Sequence, residues 1–240
     1  MTADEYCQDK AAKSGSSFYY SFRFLPEKQR QAIIALYAFC REVDDTVDEI
    51  SDKTLAASKL EWWRDEIIRT FKGEATHPVG QALQTALESF ALHEEYFMEI
   101  IDGMAMDLDQ FSYPSFKNLA LYCHRAASVV GLLSVEIFGY QDRATLKYAE
   151  NLGMALQLTN IIRDVREDAE RGRIYLPQDE LDKFNVKADD LFKLKSSPEL
   201  IELLKFQTQR AKSYYQKAMQ ALPDSDRYSQ RTGLIMAAIY

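Results

Sequence analysis

The sequence predicts an all-α chain, a helical bundle with a central cavity, and three observations carry that prediction. Gly and Pro are sparse, 9 and 6 in 240 residues, so tight turns are few. The prolines fall at the ends of long stretches whose apolar residues recur with helical spacing. Period-two alternation with Val, Ile and Thr enrichment is nearly absent, which argues against a sheet. Hydrophobic residues make up 47% of the chain, enough to bury a sizeable core. The length fits one domain over residues 1–240 better than two.

The elements follow from their boundary residues. Leu25-Pro26-Glu27 places Pro in a first turn and starts a helix over about 26–50. A second spans about 52–73 and stops at Lys72-Gly73. His77-Pro78 opens a third, to about 91, and His93 to Phe111 reads as a fourth. Pro114 opens a helix reaching about 138, and the longest candidate covers about 142–170, ending at Arg171-Gly172-Arg173. After Leu176-Pro177 the chain reads as irregular, with a short helix near about 187–195. Pro198 begins a helix to about 221, and a last one follows Pro223 to the end. That end, Gly233-Leu-Ile-Met-Ala-Ala-Ile-Tyr240, is an apolar run without a cap. The expectation is that a further helix follows it, or else that the run is buried.

Composition removes several function classes. A net charge of −8 without a dense basic stripe excludes nucleic acid as the natural partner. An acidic chain that holds a polyphosphate must bridge to it with metal. Cys7, Cys40 and Cys123 are widely spaced with no Cys-x-x-Cys, which fits a reducing cytosol and neither a disulfide framework nor a zinc site. Met1-Thr-Ala-Asp-Glu-Tyr has no basic or apolar region of a signal peptide. No uninterrupted run of about 18 apolar residues is present, so no membrane span is expected.

The chemistry concentrates in two Asp-x-x-x-Asp motifs, Asp44/Asp48 and Asp164/Asp168. Four residues is about one helical turn, so each motif sets two carboxylates on one face. On a helical wheel Ile33, Tyr37, Cys40 and Val47 lie within about 60° of Asp44, and Arg41 lies near Asp48. Asp45 and Glu49 turn away by roughly 100° or more. Carboxylates on an apolar stripe are expensive unless something pairs with them. The bland reading is an acidic, solvated helix end. The second motif belongs to a longer polar stripe, with Gly153, Gln157, Asn160, Asp164, Asp168 and Arg171 within about 40° of one line. Leu158, Ile162, Val165 and Ala169 occupy the opposite face. An ordinary surface helix carries Lys/Glu pairs; Gln-Asn-Asp-Asp offers oxygen and amide groups without i,i+4 salt bridges. Such oxygens suit a hard cation, and Mg2+ characteristically combines one or two carboxylates with substrate phosphates.

Tyr37-Ala-Phe-Cys-Arg41-Glu-Val-Asp44-Asp-Thr-Val-Asp48 and Gln157-Leu-Thr-Asn160-Ile-Ile-Arg163-Asp164-Val-Arg-Glu-Asp168-Ala-Glu-Arg-Gly-Arg173-Ile-Tyr175-Leu-Pro177 resemble the two signatures of the squalene/phytoene synthase family. Ser14-Gly-Ser-Ser17-Phe-Tyr-Tyr-Ser-Phe22 is similar to its N-terminal segment, and Tyr122-Cys-His-Arg-Ala-Ala-Ser-Val-Val-Gly131 to its mid-chain helix. The family often has a more basic N-terminal segment where Ser14 and Ser16 stand here. Glu5-Tyr-Cys, Ser16-Ser-Phe-Tyr-Tyr-Ser-Phe and Leu234-Ile-Met-Ala-Ala-Ile-Tyr240 are most similar to the family's bacterial hopanoid-pathway presqualene diphosphate synthases.

The resemblance implies an isoprenoid-synthase fold that joins two farnesyl diphosphates per turnover. Asp44, Asp48, Asp164 and Asp168 match the Mg2+-binding carboxylates. Ser17, Arg41, Gln157, Asn160 and Arg173 match positions near the diphosphates. Tyr37, Tyr122 and Tyr175 match aromatic or hydroxyl positions around the reacting carbons, and with Arg41 they are the expected catalytic residues. The cysteine pattern leads to the expectation of a cytoplasmic enzyme, and so apolar a product to that of peripheral contact with the inner membrane. Phytoene or dehydrosqualene synthesis uses the same chemistry, and a non-catalytic assembly factor on the same scaffold is the alternative from another class. By residue type alone, the three tyrosines are core tyrosines, Ser17 a helix cap, and Arg41 a partner of Asp45. Asp107 and Asp109 read as solvent-facing or outside the ligand set, His124 as structural, and Trp62-Trp63 as helix packing.

Overall fold

The computed structural model describes residues 1–15, 17–110, 112–193 and 196–240; the side chain of Ser17 also lies outside the description. Among the described residues there is no strand, only an isolated bridge between Ser112 and Ile174.

The first helix, α1 (Ala3–Lys13), was not expected, yet its signal is in the sequence. Thr2 and Glu5 form a capping box, with the Glu5 N–H donating to Thr2 Oγ1 at 3.2 Å and the Thr2 N–H to Glu5 Oε2 at 2.8 Å. A short α2 (Ser17–Ser21) leads to α3 (Glu27–Asp48), whose apolar face from Ala32 to Val47 is buried and whose last turn carries the first motif. Asp52 caps α4 (Lys53–Lys72), and Gly73 ends it at φ 81°, the left-handed conformation that glycine adopts without penalty. Pro78 opens α5 (Pro78–Leu87). That helix is shorter than expected, because the N–H groups of Ser89 and Phe90 fold back to Ala86 O and close a turn. The fourth expected helix is α6 (Glu94–Asp109).

The stretch from Pro114 begins later than expected and is not uniform. It comprises α7 (Phe116–Cys123), a π-helical turn at His124–Ser128, and α8 (Val129–Phe138). Glycines let this widened turn approach its neighbours. A Cβ on Gly103 of α6 would meet Arg125 Cβ at 2.9 Å, and one on Gly153 would meet Ser128 Cα at 2.6 Å. Phe116–Phe138 as a whole is 23 residues long and, by length and mean hydropathy alone, apolar enough to cross a membrane, although polar residues such as His124 and Arg125 interrupt it. Half of its most apolar 18-residue stretch is buried inside the protein, and residues from Tyr122 to Phe138 line the central cavity described below.

The long helix expected over about 142–170 is two: α9 (Ala144–Arg163) and α10 (Val165–Glu170), broken at Asp164 (φ −98°, ψ 9°). The main-chain ladder survives the bend, with the Asp164 N–H donating to Asn160 O and the Asp168 N–H to Asp164 O, both at 2.8 Å. Asp is a weak helix former, and here the Arg163 guanidinium grips its carboxylate with two bonds of 2.7 Å. The irregular connection contains an unexpected α11 (Gln178–Lys183) before α12 (Ala188–Phe192). Pro198 starts α13 (Pro198–Ala221), which packs along α9. The last helix, α14 (Arg231–Ile239), starts later than expected. The buried Asp226 carboxylate ties its approach to the start of α9, accepting from the Gln141 and Asp142 N–H groups and from Thr145 Oγ1 at 2.6 Å.

One apolar cluster joins α3 to α6, a second joins α7, α9, α11 and α13, and a third links α8, α9 and α13. Leu158, Ile161 and Ala169 belong to the second, so the polar stripe of α9 is left facing a space between the clusters.

Candidate active site

That space is a cavity of about 480 Å3. Every candidate site residue read from the sequence lines it except Ser17, whose side chain lies outside the described residues. Asp44 and Asp48 enter from the C-terminal end of α3, Gln157 and Asn160 from α9, and Asp164 and Asp168 from the break and α10. Arg41, Arg171 and Arg173 stand among them. The rest of the wall, from Phe22 and Ile33 to Phe138, Leu152 and Met236, is largely apolar. One end therefore offers charge and the other hydrocarbon.

At the charged end the acids are interleaved with guanidinium groups. Arg41 bonds to both Asp44 and Asp45, so its pairing is wider than the single i+4 partner expected. Asp45 faces α1 instead of the cavity and pairs with Lys10 at 2.8 Å. Asp48 accepts from Arg171 at 2.8 Å and from Arg173 at 2.7 Å. Burial pushes the Asp44 carboxyl up to about 6, with Asp48 and Asp45 adding repulsion against the pull of Arg41. Burial likewise pushes Asp168 up to about 7, and the neighbouring Asp164 charge adds to it.

The donors fit a hard divalent cation. All four carboxylates offer oxygen, and two are held in a setting that disfavours their bare charge. Asn160 donates to Gln157 Oε1 at 3.3 Å, while its own Oδ1 is buried without a partner. Among the described residues no three acidic, His or Cys groups enclose an ion by themselves. The arrangement thus suits a cation that also takes oxygens from a bound anion.

The tyrosines divide into two groups. Tyr37 donates to Ser14 Oγ at 2.9 Å and meets Phe22 edge-on. Tyr122 and Tyr175 each donate to the buried Asp107 at 2.9 Å, with ring centroids 5.1 Å apart. Tyr113 stacks on Tyr175 at 5.8 Å. The two readings offered for this acidic pair divide between its members: Asp109 is exposed, while Asp107 is buried, lines the cavity and stands behind two site tyrosines as their acceptor. Burial pushes Asp107 up to about 6, and Arg173 and the two tyrosine donors pull the other way. Ile100, Met104 and Asp107 share helical spacing on α6, so the wheel that singled out Asp44 also finds Asp107. Nothing in the sequence marks Tyr113 among 14 tyrosines.

The profile of the squalene/phytoene synthase family matches residues 11–240. The presqualene diphosphate synthase of Rhodopseudomonas palustris is 45% identical over 177 residues, which are 73% of this chain and 63% of that protein. The chain thus matches slightly less than two thirds of that relative's length. The phytoene synthase of Arthrospira platensis is 36% identical over 97% of this chain and 80% of its own. Among solved structures, a dehydrosqualene synthase superposes with a TM-score of 0.87 at 27% identity, covering 98% of this chain and 83% of that one. A squalene synthase from Alicyclobacillus acidocaldarius gives 0.86 at 27% identity, covering 99% and 91%. With its two Asp motifs lining the charged end of one cavity and a family match over residues 11–240, the chain belongs to the squalene/phytoene synthases, prenyltransferases of the all-α isoprenoid synthase fold.

Proposed function

We propose that this chain condenses two molecules of farnesyl diphosphate head to head into presqualene diphosphate. The observation that carries the reading is one cavity with both Asp motifs and three arginines at one end and hydrocarbon-lined walls at the other. The 45% identity to a presqualene diphosphate synthase favours this product.

Arg41, Arg171 and Arg173 would exchange part of their pairing with Asp44 and Asp48 for the diphosphate oxygens, the geometry for which guanidinium groups are suited. Asp44, Asp48, Asp164, Asp168 and Asn160 Oδ1 would hold Mg2+, whose chemistry is to neutralise the charge that grows on the departing diphosphate. The apolar walls exclude water, which would otherwise quench the allylic cation left when the C1–O bond breaks. The aromatic faces of Tyr37, Phe22, Tyr122 and Tyr175 stabilise that cation by roughly 0.5–2 kcal/mol each. The C2–C3 double bond of the acceptor attacks C1 of the donor, a proton leaves, and a cyclopropane closes. The Tyr122 and Tyr175 hydroxyls, both bonded to Asp107, form a route by which that proton reaches a buried carboxylate.

Phytoene synthesis from two geranylgeranyl diphosphates is the second reading, favoured by relatives of that name that match 90–98% of this chain. Incubating the protein with Mg2+ and either diphosphate, with and without NADPH, separates the two. Presqualene diphosphate from the C15 donor, unchanged by NADPH, is the expected product; a C40 product alone would replace this reading with the second. Asp44→Asn and Asp164→Asn remove activity while leaving the fold intact; if both variants behaved like the parent in every assay, a non-catalytic scaffold would be the correct reading.

A further inference from the structure

Lys10 reaches across from α1 to the back of the first Asp motif. Its ammonium stands 2.8 Å from Asp45 Oδ2 and 3.1 Å from Glu42 Oε1. The other oxygen of Asp45, Oδ1, accepts from Arg41 Nη2, and Arg41 Nη1 donates to Asp44 Oδ2. Arg41 and Asp44 line the cavity, whereas Asp45 and Lys10 do not. One guanidinium therefore spans two carboxylates, one inside the site and one behind it. The carboxylate behind is shared with a lysine from another helix. Tyr6, one turn earlier on α1, donates to Glu42 Oε1 at 2.7 Å. That bond fastens α1 to α3 without touching Asp45.

The sharing limits how Asp45 can hold Arg41. A carboxylate with both oxygens open takes a guanidinium in a two-bond fork, as Asp164 takes Arg163. Such a fork on Asp45 would draw Arg41 towards α1 and away from the cavity. With Oδ2 occupied by Lys10, Asp45 holds Arg41 through Nη2 alone. Nη1 stays on the cavity side, where Asp44 is its exchangeable partner. The ammonium also offsets the pull that Glu42 and Asp45 exert on Arg41 from behind. Screening there is weak, since the Lys10 and Asp45 side chains are only 26% and 17% exposed.

We propose that Asp45 and Lys10 are positioning residues for Arg41: Asp45 anchors one end of the guanidinium, and Lys10 keeps the other end turned towards the diphosphate. This rests on reading the cavity as a prenyl diphosphate site. Neither residue touches substrate; each acts through Arg41.

The test reads the dissociation constants of inorganic diphosphate and of unreactive farnesyl thio-diphosphate, both with Mg2+, beside kcat/KM and urea unfolding. Lys10→Met is expected to weaken both ligands by about tenfold, the loss of one charge-assisted hydrogen bond. Asp45→Asn weakens them as well, because Arg41 then folds onto Asp44. Lys10→Arg keeps the cation and restores most of the affinity. Tyr6→Phe lowers the unfolding midpoint and leaves both dissociation constants unchanged. In an Arg41→Ala background Lys10→Met has no further effect, since the group it positions is gone. Unchanged affinity in Lys10→Met or Asp45→Asn overturns the proposal. An equal loss with and without Arg41 also overturns it, and makes Lys10 a distant charge only. A loss in Tyr6→Phe matching that in Lys10→Met overturns it in favour of simple docking of α1. Failure of the parent protein to bind either ligand overturns the cavity assignment, and the positioning role with it.

Discussion

Asp48 accepts a hydrogen bond of 2.7 Å from Arg173, a residue 125 positions later in the chain. This contact joins the first Asp motif to the segment that follows the second, and the same guanidinium reaches Val47 O at 3.3 Å. Burial opposes the Arg173 charge, and the bond to Asp48 outweighs it, holding the guanidinium above its ordinary value. The side chain closes the charged end of the cavity, and under the proposed function it would also present donors to a diphosphate.

Arg173→Ala is accordingly expected to lower kcat/KM by about 10²–10³-fold, the usual loss when one positioned donor to a developing anion is removed. Stability should fall by about 1 kcal/mol or less, since Asp48 retains Arg171 and the pair is partly solvated. Steady-state kinetics beside urea unfolding check both; equal collapse of stability and activity would assign Arg173 to folding alone.

Tyr122→Phe and Tyr175→Phe each remove one of the two hydroxyl donors to Asp107. Each is expected to cut kcat by about 10²-fold or more with KM nearly unchanged, as for a group acting on proton transfer and not on binding. Asp107→Asn retains an acceptor for one hydroxyl but cannot receive the proton, so its kcat should fall at least as far. A rise in KM with kcat intact would show that the cluster only shapes the cavity.

A pH effect on stability follows from Glu66, buried on α4. Burial alone would raise its carboxyl, but the His77 and Thr76 N–H groups, the Thr76 hydroxyl and Arg69 bind the ionised form and together hold it below the ordinary 4.5. A group depressed in the folded state adds stability that is complete above its unfolded value and is lost as pH falls through the folded one. Unfolding free energy should therefore be level for this group above about pH 5 and decline below about 4.5. Glu66→Gln should flatten that decline and lower stability at pH 7 by about 1–3 kcal/mol. Denaturant titrations at a series of pH values give the comparison.

Gly153→Ala tests the close packing that places the polar stripe of α9. Its new Cβ would stand 2.7 Å from Ala127 O and 2.6 Å from Ser128 Cα, both backbone atoms that cannot swing aside. A loss of about 1–3 kcal/mol is expected from overpacking. Activity measured well below the unfolding midpoint should fall as well, because the π-turn and α9 both line the cavity. An unchanged midpoint would mean that this contact is soft.

The sequence by itself determined the helical class, most helix starts, and the faces on which Asp44, Asp48, Gln157, Asn160, Asp164 and Asp168 lie. These are local matters: a proline or a capping residue acts within one turn, and helical periodicity orders side chains along a single axis. Tertiary structure decided the rest. The bend at Asp164, the π-turn at His124–Ser128 and the early end of α5 are settled by packing and turn bonds that helical spacing does not encode. Asp107 became part of the site only when α6, α7 and the chain at Tyr175 converged, since a carboxylate is tolerated in a core when partners from elsewhere supply donors. The pairing of Asp48 with Arg173 and the meeting of Tyr148 with Gly233 join residues far apart along the chain. Which charges neutralise one another, and how deep the hydrocarbon end runs, depend on distances between helices, and only the folded arrangement fixes those.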